Sequence, residues 1–205
     1  MGRVRGKDWI KEHLADAYVK RAQAEGKRSR AAYKLEEIAG RDRLLAAGHV
    51  VVDLGAAPGG WSQVAAGRIG PRGRVIAVDL LDMAPVRGVT FLRGDFRDEA
   101  VAAELDRVLA GQKVDLVLSD MAPNLSGIPS SDQARMLELA ELALEFSLKH
   151  LKPQGNFLVK VFQGAGFEPF LKTLRSRFAS VAVRKPEASR SRSSEVYLLG
   201  KGLRA

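Results

Sequence analysis

A chain of 205 residues, 46% of them hydrophobic, is long enough to bury a full α/β core; with no cysteine it has no disulfide framework, no cysteine-based zinc site and no thiol nucleophile. No apolar run approaches the ~20 residues needed to cross a bilayer, and the Gly/Arg/Lys-rich start lacks an apolar signal core, so a cytoplasmic location is expected. The net charge of +9 is segregated, with +5 in residues 1–30, +7 in residues 171–205 and −3 between them, which favours a polyanionic partner held by the two ends over a uniformly solubilising surface.

The elements follow in order. Trp9, Ile10, Leu14, Ala17 and Tyr18 have helical spacing and predict an amphipathic helix over 8–24, which Gly26-Lys27-Arg28 interrupts. Ser29 is placed to cap a second helix, 30–39, with Tyr33, Leu35 and Ile38 as packing positions and Lys34 among them. Val50-Val51-Val52-Asp53-Leu54 reads as a buried strand, Gly55-Ala56-Ala57-Pro58-Gly59-Gly60 as a tight loop, and 59–69 as a helix. Strands are predicted over 74–79, 89–95 and 114–120, with a helix over 99–109. Residues 121–131 cannot be regular and read as an active-site loop, followed by a long helix over 132–149. A strand over 157–162, a helix over 167–178 and strands over 181–183 and 195–199 complete the chain, the last two joined by a basic Ser/Arg loop. This alternation predicts one α/β domain over 1–205: a mostly parallel sheet with helices on both faces, and 1–30 as a basic arm and helix.

Ligands of such sheets bind beyond the carboxyl ends of the strands. The glycine loop, Asp79, Asp95 and Asp120 all fall there. The loop reads Gly-x-x-x-Gly-Gly with no following lysine, which fits neither a P-loop nor a dinucleotide fingerprint. It suits the strand–loop–helix start of S-adenosylmethionine-dependent methyltransferases, whose cofactor carries a nucleoside but no phosphate. Asp79 could accept from ribose hydroxyls and Asp95 from an adenine amino group, although an aspartate at a strand end can equally serve as a cap. Lys160 interrupts an otherwise apolar strand, Phe-Leu-Val-x-Val-Phe, where a buried amine needs a partner. It reads either as a lysine snorkelling at the sheet end or as an amine paired with Asp120 to handle a proton.

Lys34, Asp120, Lys160 and Glu195 resemble, in order and spacing, the Lys-Asp-Lys-Glu tetrad of RNA ribose 2′-O-methyltransferases. The surrounding blocks Arg28-Ser29-Arg30-Ala31-Ala32-Tyr33-Lys34-Leu35, Asp53-Leu54-Gly55-Ala56-Ala57-Pro58-Gly59-Gly60-Trp61-Ser62-Gln63, Ser119-Asp120-Met121-Ala122-Pro123-Asn124 and Val159-Lys160-Val161-Phe162-Gln163-Gly164 are similar to the bacterial FtsJ-like family. That resemblance spans nearly the whole chain and implies a Rossmann-like class I methyltransferase fold with a seven-stranded sheet. It implies S-adenosylmethionine as donor, a uridine 2′-hydroxyl in the A-loop of 23S ribosomal RNA as acceptor and the assembling large subunit as partner; a monomer is expected, and no metal, because the sulfonium already activates the methyl. By the same resemblance Gly59, Trp61, Asp79, Asp95 and Asp120 line the cofactor site. Lys160 is the proton acceptor, Asp120 holds it, and Lys34 and Glu195 position the ribose. Ala165 and Pro153-Gln154-Gly155 depart from the family pattern without touching the tetrad. Relatives with the same tetrad methylate transfer RNA or messenger caps, and the short, basic-ended layout favours the ribosomal substrate. A non-catalytic RNA-binding assembly factor would keep the basic ends but lose tetrad members, and a nicotinamide oxidoreductase would explain Asp79 but not the glycine spacing or Lys160. Arg28 and Arg30 at one basic end, and Arg190 and Arg192 at the other, are the expected RNA contacts.

Overall fold

The computed structural model describes residues 17–189 and 193–204. Seven strands form one sheet: β1 (Val50–Leu54), β2 (Arg74–Asp79), β3 (Val89–Arg93), β4 (Val114–Ser119), β5 (Leu151–Phe162), β6 (Phe178–Arg184) and β7 (Glu195–Leu203). Their order across the sheet is β3-β2-β1-β4-β5-β7-β6. Strands β1 to β5 pair in parallel, whereas β7 runs antiparallel to both β5 and β6. The helices are α1 (Ala17–Ala24), α2 (Ala31–Asp42), α3 (Gly60–Ile69), α4 (Glu99–Leu109), α5 (Pro129–His150) and α6 (Phe167–Arg177).

The central strands are apolar on both sides because both faces are covered. Val50, Val52, Leu54, Val117, Phe157, Val159, Val161, Val196 and Leu198 pack under α4, α5 and α6. Val51, Leu116, Leu118, Leu158, Tyr197 and Leu199 pack under α2 and α3. The period of two therefore assigns Asp53, Lys160, Glu195 and Tyr197 to the α2/α3 side, and the turn of direction between β1 and β4 opens a crevice at the carboxyl ends. Because β7 is antiparallel, it begins where β5 ends: Glu195 pairs with Phe162 and Tyr197 with Lys160.

Strand β3 ends at Arg93 rather than 95, α2 runs to Asp42 rather than 39, and β6 and β7 are longer than the expected 181–183 and 195–199. Three further expectations need correction. Ser29 does not cap α2: the N-cap is Arg30, which makes no side-chain cap, and the Ser29 hydroxyl lies against Gly60 at the start of α3. Helix α5 starts at Pro129, three residues before the expected position, because proline suits a first helical turn that has no partner for its N–H. Strand β5 starts at Leu151 rather than 157, with a register shift that runs from Val114–Leu151 to Leu116–Asn156. Pro153-Gln154-Gly155 bulges out of the ladder there, with Gln154 at φ +67°. The expected first helix is described only from Ala17, so Trp9, Ile10 and Leu14 lie outside the described residues, as do Arg190 and Arg192.

Candidate active site

Four elements place charged side chains at the carboxyl edge. Lys160, a residue 6% exposed, donates through its amine to the backbone carbonyl of Asp120 at 2.6 Å and to its Oδ1 at 3.1 Å. The Lys34 amine, projecting from α2, donates to Glu195 Oε1 at 2.5 Å and to the Tyr197 hydroxyl at 3.2 Å. The Tyr197 hydroxyl lies 2.9 Å from Asp120 Oδ1 and 3.3 Å from Glu195 Oε1, so one phenol joins both ion pairs. Ser189 donates to the same Glu195 oxygen at 3.0 Å. Lys34, Asp120, Lys160 and Glu195 thus meet in one connected network.

Its electrostatics follow from burial and pairing. Burial alone would raise the Glu195 carboxyl, but Lys34, Lys160 and the hydrogen bonds outweigh it and hold the group below its ordinary value. Burial, reinforced by Asp120 and Glu195, pushes the Tyr197 phenol well above its ordinary value, so it stays a donor. Two of the three Lys160 donor directions are taken by Asp120, which leaves one for a ligand.

The adjoining crevice is rich in acceptors. Gly55 and Gly59 have φ of +77° and +101°, open to glycine and strained for other residues. A Cβ on Gly55 would come within 2.7 Å of Met121 N, and one on Gly59 within 2.8 Å of Met83 Sδ and 3.0 Å of Arg28 Cδ. Glycine is thus required by close approach of the protein's own loops. Asp79 accepts from Ala57 N and from Leu81 N, each at 2.8 Å, so it braces the glycine loop and the segment after β2. Asp95 accepts from the Arg97 backbone and side chain, which drop its carboxyl to about 2. Trp61 is buried; its indole N–H donates to Ala31 O at 2.8 Å and its ring centroid lies 5.6 Å from that of Tyr197, so its side chain is used in packing α3 against α2 and the sheet. Asp79 and Asp120 keep lone pairs beyond these bonds, whereas Arg97 occupies both oxygens of Asp95; the open carboxylates suit a ligand with ribose hydroxyls, amino groups and a positive centre but no phosphate. S-adenosylmethionine has that chemistry. Among the described residues no cluster of three metal-ligating side chains is present.

Residues 27–203 match the family model of the FtsJ-like methyltransferases. The chain is 65% identical over 198 residues, 97% of each chain, to the ribosomal RNA large subunit methyltransferase E of Azoarcus sp. (strain BH72). The chain belongs to the FtsJ-like methyltransferase family. A Plasmodium falciparum protein described as a ribosomal RNA methyltransferase superposes with a TM-score of 0.78 at 28% identity, over 86% of this chain and 98% of the other. SMU.1697c of Streptococcus mutans, solved with S-adenosylhomocysteine, shares the fold alone, with a TM-score of 0.51 at 12% identity over 78% and 90% of the two chains.

In this FtsJ-like chain Tyr197 escapes a reading of the sequence, because it looks like strand filler in Glu-Val-Tyr-Leu-Leu. Only the pairing of β7 with β5 puts its hydroxyl beside Lys160. Asp53 escapes it too. Its carboxyl is fully buried, accepts from Ser62 Oγ at 2.6 Å and leaves Oδ1 without a partner. Burial, against the Ser62 bond and helped by Asp120 and Asp79, raises it to about 7. Arg28 and Arg30, expected as RNA contacts, both make intramolecular bonds: Arg30 donates to Ala188 O, and Arg28 to three carbonyls beside the glycine loop.

Proposed function

We propose that this chain methylates the 2′-hydroxyl of a uridine in the A-loop of 23S ribosomal RNA, within the assembling large subunit. The reading is carried by the single connected network Lys34–Glu195–Tyr197–Asp120–Lys160 at the mouth of the acceptor-rich crevice. S-adenosylmethionine, when bound, supplies an electrophilic methyl on a sulfonium centre, and S-adenosylhomocysteine is the product. The glycine loop, the first turn of α3, Asp79, Asp95 and the Asp120 segment would hold it.

Lys160, acting as the neutral amine with its two N–H bonds on Asp120, takes the proton of the ribose hydroxyl on its lone pair as the oxygen attacks the methyl carbon; the new C–O bond takes the place of the C–S bond, whose electron pair stays on sulfur. Asp120 orients the amine from two sides, through its carboxylate and its backbone carbonyl. Lys34 and Glu195 position the ribose, and Tyr197 keeps the two carboxylates at one spacing. Alignment of this kind is worth up to roughly 7–11 kcal/mol of the barrier. The sulfonium is already a good leaving group, so the step needs no metal.

Transfer of tritium from methyl-labelled S-adenosylmethionine, tested on free 23S RNA, on large-subunit particles and on transfer RNA, followed by nucleotide mapping, checks the assignment. Label in a 2′-O-methyluridine of the A-loop is expected. Label on a base, or on transfer RNA alone, would replace this substrate with another.

A further inference from the structure

Two segments line the crevice without strand or helix structure: the glycine loop, 55–59, and the stretch 80–86 after β2. The first is anchored at its start by the Gly55 and Ala56 N–H groups on Val78 O. They are joined twice. At the end of β2, Asp79 takes the N–H of Ala57 from the first and of Leu81 from the second. Arg28 makes the second join. Its Nη1 donates to Pro58 O at 3.3 Å and to Ala84 O at 2.5 Å, and its Nη2 donates to Pro85 O at 2.5 Å. Its Cδ packs where a side chain on Gly59 would go.

The Arg28 backbone is itself held in place. Its N–H donates to Gln63 Oε1 at 3.2 Å, and Gln63 Nε2 donates to Gly26 O at 3.0 Å, so the residue is tied to α3. From below, Met83 packs with Ala56 and Ala77. A planar guanidinium can serve carbonyls on two segments at once, whereas an ammonium acts as a point charge. An arginine that reads in sequence as a phosphate contact therefore spends its donors on the walls of the cofactor crevice.

We propose that Arg28 is a positioning residue for the methyl donor, clasping the 80–86 segment to the glycine loop, and not a contact for RNA phosphate. The proposal rests on the glycine loop being the cofactor site, so the experiment carries Asp79→Ala beside Arg28→Ala and Arg28→Lys. Calorimetric titration with S-adenosylhomocysteine should show about a 10-fold weaker affinity for Arg28→Ala, equivalent to ~1.4 kcal/mol, and a smaller loss for Arg28→Lys. In steady state the KM for S-adenosylmethionine should rise with kcat retained at saturation, a split that a general loss of folded protein would not produce. The salt dependence of RNA binding should keep its slope. Unchanged donor affinity together with a slope reduced by roughly one unit would make Arg28 a phosphate contact and overturn the proposal. A fall in kcat with KM unchanged would overturn it as well. If Asp79→Ala also binds S-adenosylhomocysteine normally, the site assignment itself falls, and the clasp with it.

Discussion

Lys160 and Tyr197 face one another across the β5–β7 pair, yet only one of them announces itself in the sequence. A lysine inside Phe-Leu-Val-Lys-Val-Phe breaks the apolar pattern and invites an explanation. A tyrosine in a strand fits the pattern and invites none, and its use depends on a pairing between segments far apart in the chain. The two are expected to respond differently to substitution. Lys160→Ala should abolish methyl transfer while donor and RNA binding persist; Lys160→Arg should be nearly as inactive, because arginine keeps the charge but does not release its proton. Retention of most activity by Lys160→Arg in a transfer assay would make the residue a fixed charge. Tyr197→Phe leaves two carboxylates without their shared buried donor, and urea unfolding should register a loss of about 1–3 kcal/mol. Asp53 adds a pH effect. Its folded value of about 7 lies above the ordinary 3.8, so between them the folded state holds a proton that the unfolded chain has released. This contribution to stability is present in full below about pH 4 and is lost as pH rises toward 7. Asp53→Asn should remove that slope from stability measured between pH 5 and 8; an identical slope in the variant would assign the titration elsewhere.

The elements nearest the site differ in how far local sequence specifies them. Strands β1 and β2 and helix α4 are bounded by glycine, proline or a charged residue, and their apolar runs carry the expected period, so expectation and structure agree within a residue. The start of α5 is easily misplaced because Asp132 looks like a helix cap. In the structure Asp132 lies within the first turn and its carboxylate accepts from the Ser126 N–H at 2.8 Å, the Ser126 hydroxyl at 2.8 Å and the Gly127 N–H at 3.1 Å. These bonds and Arg135 hold its carboxyl below the ordinary value. The loop that follows β4 is thereby pinned by a residue from the helix it leads into. Asp132→Ala should expose 124–128 to limited proteolysis without changing affinity for S-adenosylhomocysteine. Equal cleavage rates in the two proteins would show that the loop is held by other means.

At the scale of the molecule, the sequence shows two basic ends and raises the expectation of a polyanionic partner, but it does not show how the arginines within them are used. Charge counting treats every arginine alike, whereas the structure engages Arg28 and Arg30 in bonds to backbone carbonyls. Arg190 and Arg192 remain expected phosphate contacts, outside the described residues. Replacing that pair with alanine should weaken RNA binding and lower its salt slope by roughly 0.7–0.9 for each phosphate no longer neutralised, with donor affinity unchanged. An unaltered slope would place the RNA on other cations. The insertion of β7 between β5 and β6 has a consequence in time as well as in space. Lys34 and its partner Glu195 are 161 residues apart, and the strand that carries Glu195 follows the other six of the sheet in the chain. A growing chain can assemble the β3-β2-β1-β4-β5 part of the sheet first, with the edge of β5 unpaired until β7 follows. Until β7 is in place Lys34 has neither Glu195 nor Tyr197 to bond, so the network closes later than the sheet around the glycine loop.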